Sequence, residues 1–365
     1  MPRIRRIRRK KPRAGSVWKK LLLWGVLGLL VLAAAVVAGS YLYVRAYLKS
    51  DGFLAMLEQS AVDDMNVETA RIDPLDWDGS GIRCGGVTME GHEFLTSLQA
   101  RNIETEFSRW ELLKRAFVIT SVNIAELKLR LAPVPFRFRE KPEGARSWAE
   151  ENILPDTFRL EKGSIDSLSV SYGEVGQLYV LDGTRVESAY DAGSSQYRFE
   201  MQGGRLLLPF KGCPEFSLMS GTAQFNHASR RVNVPSCRLT TAAGGYLDIK
   251  GDWDGSSSSW TANMVVNGVP ASSVLEDHWK KHVQGSVSGG IDLRGGRDGV
   301  THVAGLARLQ GGMLTGLPVL DRLALFCGSS RFRNLPLHEA SAQFTYQESA
   351  WHISNILVES ENLVR

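Results

Sequence analysis

The chain has 365 residues, 43 Lys and Arg against 39 Asp and Glu, a formal net charge of +4, 36 glycines and four cysteines. Ten of the cations fall in the first 20 residues, which carry no acid, so the remainder is mildly acidic, 33 against 39. The basic pI therefore does not mark the large domain as a nucleic-acid binder, and Cys84, Cys213, Cys237 and Cys327, with no CxxC spacing, argue against zinc.

Arg5, Arg6, Arg8, Arg9, Lys10, Lys11, Lys19 and Lys20, with Arg3 and Arg13, precede an uncharged run at 21–44. That run includes Leu21, Leu22, Leu23, Trp24, Leu29, Leu30, Val31, Val36, Val37, Tyr41 and Tyr43. As a helix it would rise about 36 Å, enough to cross a hydrocarbon core of roughly 30 Å. Only Arg45 and Lys49 follow closely, so the positive-inside rule keeps the N-terminus cytoplasmic. The expected organisation is a basic cytoplasmic tail at 1–20, a transmembrane helix at 21–44 and an exported domain at 45–365, with parts at 45–200 and 201–365. A cleaved signal peptide ending near Val37-Ala38-Gly39-Ser40 has a shorter apolar core than this. A nucleic-acid arm would not need a span beside it.

Beyond the span, Phe53, Leu54, Met56 and Leu57 suggest a short amphipathic turn or two at 50–60, near the membrane surface or capping the sheet. From Asn66 onward short alternating strands are punctuated by Gly, Asp, Asn and Ser. In 117–131, Val122 and Ile124 occupy one parity and Leu127, Leu129 and Leu131 the other, which predicts a bulge or turn near Ala125 and Glu126. Phe136 and Phe138 alternate with arginines. Leu247, Ile249 and Trp253, then Trp260, Ala262, Met264 and Val266 across Asp254-Gly255-Ser256, read as a hairpin. Ile291 and Leu293, then Val303, continue the pattern. Phe344 and Tyr346, followed by Trp351 and Ile353, close it. Among the later segments, helices are predicted only at 110–114, 270–283 and 317–326, the last two with a proline near the first turn. The fold class expected is mainly β: a long, curled, mostly antiparallel sheet with one apolar face, as a groove or open sandwich, and few helices. Cys213 and Cys237 either close a loop between neighbouring strands or stay as buried thiols.

Sharper chemistry finds little support. His278 and His282 have metal-binding spacing, but Leu275, Trp279 and Val283 make that segment an ordinary apolar stripe, and no third ligand is marked. Gly79-Ser80-Gly81 and Gly85-Gly86 lack the Lys-Ser/Thr of a phosphate loop, and no G-x-S-x-G elbow occurs. Asp63 with Asp64, and Glu150 with Glu151, sit in polar stretches. Neither catalytic residues, nor a metal, nor a cofactor is expected.

The sequence resembles the AsmA family of bacterial envelope proteins. The resemblance rests on the N-terminal span, on 102–131 with Leu112 and Leu113, on the strand-Lys-Gly-strand unit at 158–172, and on the Gly-strand-Gly, Gly-Leu and short-helix order of 283–326, continued through 330–358. It departs at Leu363-Val364-Arg365, where the family runs on through further strands, so the chain reads as a shortened or an incomplete member. Members resemble, in fold, the chorein-type lipid-bridge proteins. The resemblance thus implies a single-pass inner-membrane protein with a periplasmic domain, acting in envelope homeostasis. It would hold or conduct phospholipid toward the outer membrane, with an outer-membrane or other envelope protein as a further partner. The alternative is a tethered scaffold assisting outer-membrane protein assembly. On the first reading the groove is lined by Val122, Ile124, Leu127, Leu129, Leu131, Leu247, Ile249, Trp253, Met264, Val266, Ile291, Leu293, Phe344 and Tyr346. About 16 strands at roughly 4.8 Å would make it about 75 Å long.

Overall fold

The computed structural model describes residues 46, 50–77, 80–108, 116–134, 157–174, 176–209, 213–226, 228–275, 277–297, 299–347 and 350–360. The expected tail and span, the helix at 110–114 and the Phe136/Phe138 alternation lie outside them. Among the described residues no helix is long and apolar enough to cross a membrane. The chain divides into two compact units between Ala55 and Met56, and the sheet belongs to the second.

Helix α1 (Asp51–Met65) is followed by β1 (Thr69–Ile72), β2 (Leu75–Trp77), β3 (Gly81–Glu90), β4 (Leu95–Phe107) and β5 (Ala116–Leu131). Next come β6 (Thr157–Leu160), β7 (Lys162–Glu174), β8 (Gln177–Asp191), β9 (Gln196–Gln202) and β10 (Arg205–Leu207). The long hairpins β11 (Phe216–Asn226), β12 (Arg231–Thr241), β13 (Tyr246–Asp254) and β14 (Ser259–Pro270) lead into α2 (Ala271–Val274) and α3 (Asp277–Lys280). The chain continues through β15 (Val283–Gly296), β16 (Gly299–Thr315), α4 (Pro318–Phe326), a 3-10 turn (Ser330–Arg333), β17 (Asn334–Gln347) and β18 (Ala350–Glu359).

All eighteen strands form one sheet. Short strands share positions: β1 and β2 both pair with β3, β6 and β7 with β5, and β9 and β10 each bridge β8 and β11. The pairings are antiparallel except that β6 and β7 run parallel to β5. The sheet passes residue 200 without a break, since β9 there pairs on both sides. The 270–283 segment is not one helix but two single turns after strand residue Pro270. Leu275, extended at ψ 151°, ends the first.

The parity change near Ala125 is shared by neighbours. Cys84–Ile103–Ile124–Ile165 and Val87–Ala100–Leu127–Leu168 are successive aligned rows, three residues apart on every strand. Asn102, with φ of 50°, takes up the turn in β4, and a register shift between β7 and β8 absorbs the step. As a result Leu127, Leu129 and Leu131 join the face of Val122 and Ile124, while Asn123, Lys128 and Arg130 are exposed.

Cross-strand polar pairs stitch the other face. Arg238 Nε and Nη2 donate to the two carboxylate oxygens of Asp248 at 2.7 Å each, beneath the Tyr246 ring, and Asn263 donates to Asp292 at 2.8 Å. At the β13–β14 tip the Ser256 hydroxyl and N–H, then Arg231, hold Asp254 down to a pKa of about 2. A folded pKa below the unfolded value of about 4 means the linkage stabilises above that value and is lost as pH falls through about 2. The Asp254 carboxyl should therefore titrate near 2 by NMR, and Ser256→Ala should move its midpoint upward. An unmoved midpoint would remove the serine from this account.

Candidate functional site: an uncharged row across the sheet

The registers connect one residue from every long strand into a single row on the apolar face. It runs Cys84, Ile103, Ile124, Ile165, Val186, Met201, Gly221, Cys237, Ile249, Met264, Ile291, Gly305, Phe344, Ile353, from β3 to β18. Directly paired residues project to the same side of a sheet, so these residues form one row on that side, with bare backbone at Gly221 and Gly305. At about 4.8 Å per strand the row is roughly 60 Å long, shorter than the expected 75 Å because short strands double up. No charge and no hydroxyl interrupts it.

Parallel rows widen it. Leu129 lies between Leu98 and Val170, Leu131 between Leu95 and Tyr172, and Val122 between Thr105 and Gly163. Leu247 pairs with Leu239 and Val266, Trp253 with Val232 and Trp260, Leu293 with Ala262 and Val303, and Tyr346 with Val303 and Trp351. The registers thus bring the residues read from the alternation onto one face.

The face is not a filled core. Within the long row only Cys84, Val186 and Gly221 are buried. Ile353 is exposed and the rest are half-buried. Single buried side chains such as Leu75, Leu95 and Val118 lie elsewhere, but the two packed clusters are at the strand ends that carry α2–α4. There Phe216, Leu218, Leu239, Leu247 and Val269 form one cluster, and Leu320, Leu335 and Leu337 another. A register shift between Val266 and Val269 turns Val269 inward to 0% exposure. Those packed ends lie along one border of the apolar face.

The opposite border is aromatic. Tyr190–Tyr197–Phe225–Val232–Trp253–Trp260–Gly295 is a second cross-strand row near the hairpin tips, and Tyr346 packs tilted against Trp351, ring centroids 5.0 Å apart, further along. Glycine at 295 is required by Trp260, whose ring lies 2.4 Å from where a Cβ would sit; Phe344 covers Gly305 in the same way at 2.5 Å. A shallow cavity of about 510 Å³ opens at these tips, lined by Trp253, Trp260, Asn233 and Asp252 among others. Asn233 Nδ2 already donates to Asp252 Oδ1 there, at 2.6 Å.

The four cysteines are free thiols. Burial pushes the Cys213 and Cys237 thiols up, both packed against the Phe216 cluster. Cys84, also raised by burial, donates to the Asp73 and Gly86 carbonyls. His278 and His282 meet edge to face at 5.5 Å, and His282 Nδ1 lies 2.8 Å from the Thr315 carbonyl. Among the described residues no three His, Cys, Asp or Glu are grouped to hold a metal. Sequence reading missed the division into a packed and an aromatic border, because it depends on which ends of different strands meet. The signal was nonetheless present in Tyr190, Tyr197, Trp253, Trp260 and Trp351, each within a few residues of a hairpin turn. No protein-family model, curated protein or solved structure matches the chain.

Proposed function

We propose that this chain is an AsmA-type envelope protein, anchored in the inner membrane by 21–44, whose exported sheet holds or conducts phospholipid toward the outer membrane without catalysing a reaction. The observation that carries the reading is the uncharged, incompletely buried row from Cys84 to Ile353. A diacyl lipid has about 30 CH₂ groups at roughly 0.8 kcal/mol each, so an unassisted aqueous crossing costs on the order of 20 kcal/mol or more. An apolar ridge without charged interruptions removes most of that cost and requires no reactive group.

An assembly scaffold would need the same face to be a closed core. The incomplete burial of Ile103, Ile165, Met264 and Ile291 favours an occupant other than the protein's own side chains. The test is mass spectrometry of the region from Asp51 onward, purified without detergent. Near-stoichiometric diacyl lipid is the expected result. Repeated recovery of lipid-free, folded protein would overturn the proposal.

A further inference from the structure

Helix α4 presents two apolar stripes. Leu320 and Ala324 face the sheet and are buried, with Leu320 in the Leu335–Leu337 cluster. Val319, Leu323 and Phe326, at i, i+4 and i+7, form a second stripe that faces away, and Leu325 stands beside it. Val319 is 62% exposed, Leu325 75% and Phe326 91%. Large apolar side chains this exposed, and contiguous, mark a contact surface.

The charges around the stripe indicate what it contacts. The segment 316–334 carries Arg322, Arg331 and Arg333 against one acid, Asp321, in a domain that is otherwise mildly acidic. Asp321 is taken by Arg333 at 3.6 Å, which leaves Arg322 and Arg331 without an ion pair among the described residues. Exposed apolar tips flanked by unpaired guanidiniums match the acyl boundary and anionic headgroups of a bilayer, the pattern of an interfacial helix. The segment joins β16 to β17, at the β18 end of the sheet. We infer that α4 and the 3-10 turn after it are a docking surface for a bilayer bearing anionic phospholipid. This deepens the lipid-groove reading by naming what one end of the row meets, and it rests on that reading only for its biological sense.

The test uses the full chain in nanodiscs containing phosphatidylglycerol, which occupy its basic tail, floated with vesicles. The vesicles are phosphatidylcholine alone or equal parts phosphatidylcholine and phosphatidylglycerol. Wild type should co-float with the anionic vesicles and less with the neutral ones. Arg322→Gln with Arg331→Gln should weaken partitioning by about 30-fold, at ~1 kcal/mol per cation. Leu325→Ser with Phe326→Ser should abolish it. The arginine pair is fully on the surface, so it remains informative if the apolar variant aggregates. Wild type that floats with neither vesicle, or variants that partition as wild type does, would overturn the inference. Lipid copurifying with the region from Asp51 onward, measured by mass spectrometry on the same substitutions, should be unchanged in all variants. Its absence beside intact vesicle docking would defeat the groove reading and leave this one standing.

Discussion

Leu129→Asp and Ile291→Asp should each strip copurified phospholipid from the exported region, by at least about tenfold, while leaving it folded. Both side chains are half-buried on the apolar face, Leu129 on β5 and Ile291 on β15, and neither belongs to a packed cluster. A carboxylate there keeps access to water in the empty protein, so its cost to folding is small. With an acyl chain lying over it the same carboxylate must lose hydration, and a buried unpaired charge costs several kcal/mol, more than the roughly 1.4 kcal/mol that a tenfold change requires. Met264→Asp is a less clean probe, because Met264 also packs against the Phe216 cluster. Lipid mass spectrometry with a thermal melt on each variant decides the matter. Folded variants with undiminished lipid would mean the ridge is not where acyl chains lie.

How much of this was legible in the sequence follows from the period of two. Alternation in 247–266 and 342–353 is local, and the β13–β14 and β17–β18 hairpins stand where it placed them. The parity break at Ala125 was equally legible, since Val122 and Ile124 on one parity and three leucines on the other cannot share a face without an extra step. Alternation says nothing, however, about which strand sits beside which. The parallel β5–β7 pairing crosses residues 132–156, and no local pattern announces it. The Cys84-to-Ile353 row exists only once thirteen pairings are in register, several of them passing through bulges. Two of its members are Gly221 and Gly305, which no hydrophobic pattern would select. At Gly305 the neighbour supplies the apolar surface, the Phe344 ring folding over the bare backbone. Likewise the 270–283 stretch has helical residues, but Pro270 ends a strand and extended Leu275 breaks the turn, so tertiary pairing overrides propensity there.

Leu239→Ala should destabilise the exported region by about 2–5 kcal/mol, whereas Ile291→Ala should cost no more than about 1 kcal/mol. Leu239 is 3% exposed, in register between Leu218 and Leu247 and packed with Phe216 and Val269 at the packed border. Truncating it leaves a cavity that the neighbouring strands, tied by their ladders, cannot collapse into. Ile291 sits in the same sheet only two strands from Leu247, yet it is half-buried and outside both clusters, so its removal opens no void. Urea midpoints with unchanged slopes read both substitutions on one scale. That difference is what the proposed lipid-holding face requires. A face filled by its own side chains would make isoleucine at 291 as costly to truncate as leucine at 239, and equal losses would identify the ridge as an ordinary core with no room for lipid.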